Sequence, residues 1–239
     1  MGFVDLHAHV LPALDDGVKS VAEAVEVVAM LGRLGFETIY CTPHQKVGSW
    51  VPTAEAISGA RAALTAALCA GAVGVELHLG AENFWDELFV QRCIDGGVPT
   101  YTGERAFLVE VSPVNPPVKL EEQLFRLRTR GPLPVLAHPE RYHGLCRQPE
   151  RLEAIGRTAA LVVDVAALAG AHGPRAAEAA RWLVGDGLAH ACASDTHSAD
   201  DARAAGEGIT WLRKRHGDAA VRRLLDENPR RILQGDLPD

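Results

Sequence analysis

No cysteine pair in this chain has the CxxC spacing of a zinc ribbon or a redox motif, and the five cysteines (Cys41, Cys69, Cys93, Cys146 and Cys192) are odd in number. Neither a disulfide framework nor a thiolate metal site is indicated, and they are read as reduced residues, mostly in the core. A thiol phosphatase would need a nucleophilic cysteine in a glycine-rich loop with an arginine shortly after it. Only Cys41 and Cys146-Arg147 lie near polar loops, and neither has those surroundings. Long apolar runs are also missing: no stretch of about 18 such residues occurs, so no direct membrane insertion is expected. The start, Phe3-Val4-Asp5-Leu6-His7, has no basic segment followed by an apolar run, so the expectation is a soluble, cytoplasmic protein. Excess positive charge is lacking too. A net charge of −7 and a pI near 5.8 argue against nonspecific nucleic-acid binding, and a phosphate substrate would need local cations. Repeats, low-complexity tracts and linkers are absent; residues 113–117 make a short proline-containing loop. With 239 residues, 47% of them hydrophobic, one domain spanning 1–239 is expected.

Apolar and polar patterning gives strands alternating with helices. Strands are expected over 3–10, 38–42, 73–80, 107–112, 134–138, 161–165 and 190–194. Helices are expected to about residue 34 from a capping box at Ser20 and Glu23, and over 53–70, 85–93, 120–130, 150–158 and 174–184. The tail reads as helical over 200–217 and 218–233, interrupted at Asn228-Pro229. Such alternation points to a parallel sheet, open or rolled into a barrel. Polar residues at the ends of most strands, rather than in one crevice, favour a distorted or incomplete (β/α) TIM-like barrel with a site at its C-terminal face.

Those strand ends carry the chemistry. Asp5-Leu6-His7-Ala8-His9 puts two imidazoles on one strand face, because side chains alternate with period two. Asp15-Asp16-Gly17 follows in the next loop, His44 follows Thr42-Pro43, and Glu82 follows Gly80-Ala81. Glu110 is a carboxylate on an otherwise apolar strand, where leaving it buried and unpaired costs about several kcal/mol. His138 ends one further strand, and Asp195-Thr196-His197 closes another. Imidazoles and carboxylates without thiolate suit Zn, Mn or Fe(II), and their number exceeds the needs of one four-coordinate ion, so two or three divalent ions are expected. Asp15 and Asp16 compete for one ligand position. Asp5 shares the face of His7 and is expected to be either structural or an orienting partner for the far nitrogen of an imidazole. His78, His143, His172, His190 and His216 have no such setting and are read as structural or surface residues.

The ordered motifs, from Leu11-Pro12-Ala13-Leu14-Asp15-Asp16-Gly17 through Ala137-His138-Pro139-Glu140-Arg141-Tyr142 to Glu227-Asn228-Pro229-Arg230-Arg231-Ile232, resemble the polymerase-and-histidinol-phosphatase (PHP) superfamily. Within it, the chain is similar over almost its whole length to the CpsB/CapC/YwqE-type bacterial protein tyrosine phosphatases of capsule and exopolysaccharide operons. The resemblance implies a PHP-type barrel with metal ligands His7, His9, Asp16, His44, Glu82, Glu110, His138, Asp195 and His197, and favours Asp16 over Asp15. It implies manganese, with Fe, Zn or Co as alternatives. It also implies a phosphate-binding Arg141 and a second arginine after the Asp-x-His motif, for which Arg203 is the nearest candidate.

The implied reaction is phosphotyrosine hydrolysis by direct attack of a metal-bridging hydroxide, with no phosphoenzyme. The implied partner is the tyrosine-rich tail of a membrane-associated bacterial tyrosine kinase. Two alternatives come from the same superfamily. One is a small-molecule phosphatase such as histidinol-phosphate phosphatase; the other is an inert PHP binding module, which would be expected to have lost ligands.

Overall fold

The computed structural model describes residues 2–238 and builds nine parallel strands into two sheets. Strands β1 (Phe3–Ala8), β2 (Phe36–Cys41) and β4 (Glu76–Leu79) form the first, in the order β1-β2-β4. The second contains β3 (His44–Gln45), β5 (Glu82–Phe84), β6 (Ala106–Glu110), β7 (Leu133–Ala137), β8 (Ala160–Asp164) and β9 (Ala191–Ala193), in the order β3-β5-β6-β7-β8-β9. The chain passes from β2 to β3 and from β4 to β5 across two-residue breaks. Gly80 N donates to Cys41 O at 2.8 Å and Glu82 N to Pro43 O at 3.2 Å, so the pairing continues through the breaks. At the other side Ala8 bridges Thr196, Asp195 N donates to His7 O at 2.8 Å and His9 N to Thr196 O at 2.9 Å. The arrangement is a TIM-like barrel whose ladder is interrupted rather than closed, in keeping with the alternating pattern of the sequence.

Two strands escape periodicity because they are too short for it: β3 has two residues and β5 three. The strand expected at 73–80 is accordingly shorter, and the one expected at 38–42 starts earlier, at Phe36.

Helices make the crossovers that parallel strands require. They are α1 (Val21–Leu34), α2 (Ala54–Ala70), α3 (Glu87–Asp95), α4 (Leu120–Arg128), α5 (His143–Cys146), α6 (Pro149–Gly156), α7 (Pro174–Gly185), α8 (Ala199–Arg222) and α9 (Asn228–Leu233). Ser20 Oγ accepts from Glu23 N at 3.2 Å, while the Glu23 carboxylate accepts from Lys19 N at 2.7 Å, one residue before the position an ordinary capping box uses. Helix α8 kinks at Gly217, which has φ 81°, where the tail was expected to divide. A wide turn over Arg223–Glu227 precedes α9, and Pro229 sits in that helix's first turn, where a missing N–H leaves no bond unmade. No helix among the described residues is long and apolar enough to cross a membrane.

Strand alternation builds two apolar clusters. Leu108, Val135, Ala137, Ala160, Val162, Ala191 and Ala193 line the interior with Val4, Leu6 and Tyr101. Their neighbours Val109, Leu136, Leu161, Val163 and Cys192 pack outward against Leu31, Leu124, Leu152, Leu183 and Leu212 of the helices. Small residues suit so narrow an interior. Continuing the inward row to the strand ends leads from Leu108 to Glu110, from Val162 to Asp164 and from Ala193 to Asp195.

Helix α8 lies directly on the buried turn after β8: a Cβ on Gly208 would meet Val165 O at 1.9 Å. Gly208→Ala is therefore expected to lower stability by ~1–3 kcal/mol through overpacking. Gly59, inside α2 with nothing within 4 Å of such a Cβ, is the control, and alanine there should add ~0.5–1 kcal/mol. Urea denaturation of the two variants checks both signs.

Candidate metal centre

All nine side chains singled out as ligands converge at the C-terminal ends of the strands. Their donor atoms fall into four groups, each with its atoms within 4.8 Å of one another: His9, Asp16, His44 and His197; His7, His9 and Asp195; His7, Glu82 and His138; and His44, Glu82 and Glu110. The shared members make one continuous cluster. Glu82 is its hub, 1% exposed, with His44 Nδ1 at 2.8 Å, His138 Nε2 at 3.0 Å, and His7 Nε2 and His9 Nε2 each at 3.3 Å. Asp195 Oδ1 lies 3.2 Å from His7 Nε2, and Asp16 Oδ1 3.2 Å from His44 Nε2.

Local backbone geometry explains the convergence. His138 and Asp195 both take left-handed conformations, with φ 33° and 45°. Such geometry costs about 1–3 kcal/mol at a non-glycine residue and recurs at functional sites. At His138 it turns the ring at the end of β7 onto Glu82.

The donors fit divalent cations on grounds independent of their number. His7 Nε2 and His9 Nε2 lie 3.0 Å apart, close enough for one cation beside the pair to reach both at about 2.1 Å. Glu110 Oε2 and His138 Nδ1 are buried without hydrogen-bond partners, and Glu82 Oε2 and Asp195 Oδ1 face only imidazole nitrogens. Unsatisfied buried atoms are costly in a native fold, and converging ones mark an ion's place. Charge follows the same logic. Burial works to raise Glu82, but His7, His138 and His44 around it hold its carboxyl well below the usual range. Asp195 is likewise held low against burial, by His7 and Arg141. Glu110 is pushed up to about 7 by burial and by the charge of Glu82, against the opposing charges of Lys46, His44 and His7.

Beside the cluster, Arg141 leaves the turn after β7 and its Nη2 donates to Asp164 Oδ2 at 2.7 Å and Asp195 Oδ2 at 2.5 Å. Asp164 also meets His172 Nε2 at 2.6 Å, and the His172 ring nitrogen is 2.9 Å from Arg141 Nη2. A cavity of about 190 Å³ opens here, lined by Arg141, Asp164, His172, Asp195 and His197 among others.

Of its two expected roles Asp5 takes the structural one: its Oδ1 accepts from the backbone N–H of His7 at 3.3 Å and of Ser194 at 2.9 Å, tying β1 to the end of β9. Three sequence expectations change. Asp15 takes the orienting role instead, its Oδ2 lying 2.9 Å from His9 Nδ1 and accepting from His44 N at 3.0 Å. His172 lies at the cavity rather than on a remote surface. Arg203 lies away from it, 59% exposed, paired with Asp200 on α8 and beside Met30 and Leu34 of α1. Asp164 joins the site without having been expected there, although it ends an apolar strand just as Glu110 does. None of the cysteines lines the cavity, and burial pushes the Cys41 and Cys146 thiols up to about 12.

Known proteins match this architecture along its length. The YwqE tyrosine-protein phosphatase of Bacillus subtilis (strain 168) is 26% identical over 233 residues, covering 97% of this chain and 91% of the relative. The CpsB tyrosine-protein phosphatase of Streptococcus pneumoniae is 24% identical over 241 residues, covering 98% of this chain and 99% of the relative. A crystal structure from work on YwqE and CpsB, described as unique metal-dependent tyrosine phosphatases, superposes with a TM-score of 0.87 at 27% identity, over 98% of this chain and 95% of the other. The phosphotriesterase homology protein of Escherichia coli shares the fold, with a TM-score of 0.62 at 14% identity over 98% and 99% of the two chains. The sequence profile for capsular polysaccharide synthesis, CpsB/CapC, spans residues 3–234, and the chain belongs to the CpsB/CapC family.

Proposed function

We propose that this chain is a metal-dependent protein tyrosine phosphatase, acting on the phosphotyrosine tail of a membrane-associated bacterial tyrosine kinase that controls capsule or exopolysaccharide synthesis. The cytoplasm would be its compartment and manganese its metal, with the nine side chains His7, His9, Asp16, His44, Glu82, Glu110, His138, Asp195 and His197 as ligands. The observation that carries this reading is the juxtaposition of a complete imidazole and carboxylate cluster with an arginine fork across one small cavity. An inert binding module would have no reason to keep every one of these groups.

Phosphate-monoester hydrolysis is among the slowest uncatalysed reactions, so the site must activate water and neutralise phosphoryl charge. Divalent ions, when bound, would lower the pKa of water toward about 7 and neutralise charge on phosphoryl oxygens. Arg141 supplies the chain's own share. Its Nη2 is held by Asp164 and Asp195, which fixes the plane of the guanidinium, and its buried Nε has no partner. A planar fork set in this way holds phosphoryl oxygens and stabilises their charge in the transition state. Asp15 keeps the His9 ring aimed at the cluster through the opposite nitrogen.

The test is hydrolysis of a phosphotyrosine peptide and of histidinol phosphate by purified protein, after chelation and after adding back Mn, beside His138→Ala. Activity on the peptide that disappears with the chelator, returns with Mn and is missing in the variant is the expected result. Restored activity confined to histidinol phosphate would overturn the substrate, and none on either would overturn the enzyme.

A further inference from the structure

We propose that His172 is the proton donor to the phenolic oxygen that leaves phosphorus, an inference that rests on the phosphatase reading above. Phosphoryl transfer places the attacking and departing oxygens in line on opposite sides of phosphorus. Asp195 and His197 of the cluster line the same cavity as Asp164 and His172, and Arg141 Nη2 reaches Asp195 at 2.5 Å on the cluster's part and Asp164 and His172 at 2.7 and 2.9 Å. In this proposal a phosphoryl group is held by Arg141 with its attacked side toward the cluster, and its leaving oxygen lies on the side of His172.

The other imidazoles of the region are spoken for: His7, His9, His44, His138 and His197 all belong to the cluster. His172 alone among the histidines lining this cavity is free to carry a proton. Its Nε2 is held at 2.6 Å by Asp164, a carboxylate that is almost fully buried and also caps the following turn by accepting from Ala166 N at 2.8 Å. Hydrogen bonding of one ring nitrogen fixes the role of the other. Nδ1 has no protein partner among the described residues, and the side chain is 38% exposed, so it can meet both the substrate and the solvent that recharges it. The backbone is held in a left-handed conformation, φ 63°, after a buried turn at Val165–Ala169.

The step balances without any further reagent. Water oxygen forms the new bond to phosphorus while the bond from phosphorus to the tyrosine oxygen breaks. The electron pair of that bond stays on the phenolic oxygen, which takes the proton from Nδ1 of the imidazolium. The products are tyrosine and inorganic phosphate; the proton released by the attacking water passes to solvent, from which His172 is recharged. Tyrosine, whose phenol has a pKa near 10, gains from such a donor. A phenolate that is stable at neutral pH gains little.

The experiment is a leaving-group series. Phosphotyrosine peptide, phenyl phosphate, p-nitrophenyl phosphate and 2,4-dinitrophenyl phosphate are hydrolysed by Mn-loaded wild type, His172→Gln and His172→Asn, with inhibition by inorganic phosphate measured alongside. Both variants should lose ~10²-fold or more in kcat on the peptide and on phenyl phosphate. The loss should shrink steadily toward the dinitrophenyl ester; because His172 also lies 2.9 Å from Arg141 Nη2, phosphate inhibition reports whether the variants disturb that arginine, and it should stay as in the wild type. An equal loss on every ester, weakened phosphate inhibition, or no loss at all would overturn the assignment while leaving the phosphatase standing. A wild type inactive on all four esters would overturn the phosphatase reading and this one with it.

Discussion

Glu82→Gln is expected to leave a folded protein that retains no metal and has lost phosphatase activity by more than ~10³-fold, beyond the effect of removing one stabiliser of transition-state charge. Four imidazoles meet this one carboxylate within 3.3 Å, so the substitution removes the charge shared by most of the cluster. The amide keeps the shape but turns an NH2 toward ring nitrogens. Folding should survive, because β5 is held by backbone pairing to β3 and β6, which the side chain does not make. Metal content after equilibration with Mn, read beside circular dichroism, decides the matter. A folded variant holding as much metal as the wild type would remove Glu82 from the centre.

Arg141→Ala is expected to lower kcat by ~10³-fold, the scale set by arginines that stabilise transferring phosphoryl groups. Metal content should stay near wild type, since Asp195 remains flanked by His7 and His9 when its arginine partner is gone. Arg141→Lys should recover only part of the rate, because an ammonium is a point charge rather than a planar fork. Steady-state kinetics at saturating Mn separates the possibilities. A higher KM with unchanged kcat would mean that Arg141 binds the ground state and the transition state equally, and its part in stabilising the transition state would have to be abandoned.

Much of this site is visible in the sequence because chemistry and periodicity coincide there. Glu110 interrupts an inward row of apolar residues, and a carboxylate in that position demands a cation. The pair His7 and His9 needs only the alternation of a strand. The residues that sequence reasoning misses are missed for identifiable reasons. Asp164 stands in the same setting as Glu110, ending Leu161-Val162-Val163, and the same signal marks it. His172 follows a turn rather than a strand, and only the fold brings its ring to Asp164. Arg203 illustrates the converse: its place in the sequence near His197 is set aside by α8, which carries it toward α1. Asp15 and Asp16 are adjacent in sequence and divide two tasks, one holding His9 and the other facing His44 and His197, a division that depends on which way a loop turns.

Strand β1 meets the segment after β9 through Ala8 and Thr196, so groups from residue 7 and residue 197 end in one cluster. Contacts between positions so distant in the chain form late, since the intervening loop must first lose its freedom. During synthesis, His7 and His9 emerge long before their partners, and no partial product ending short of Asp195 can complete the cluster. A product ending short of His197 lacks donors that the earlier strands cannot replace, and is expected to be silent toward phosphotyrosine however much of its barrel has already formed.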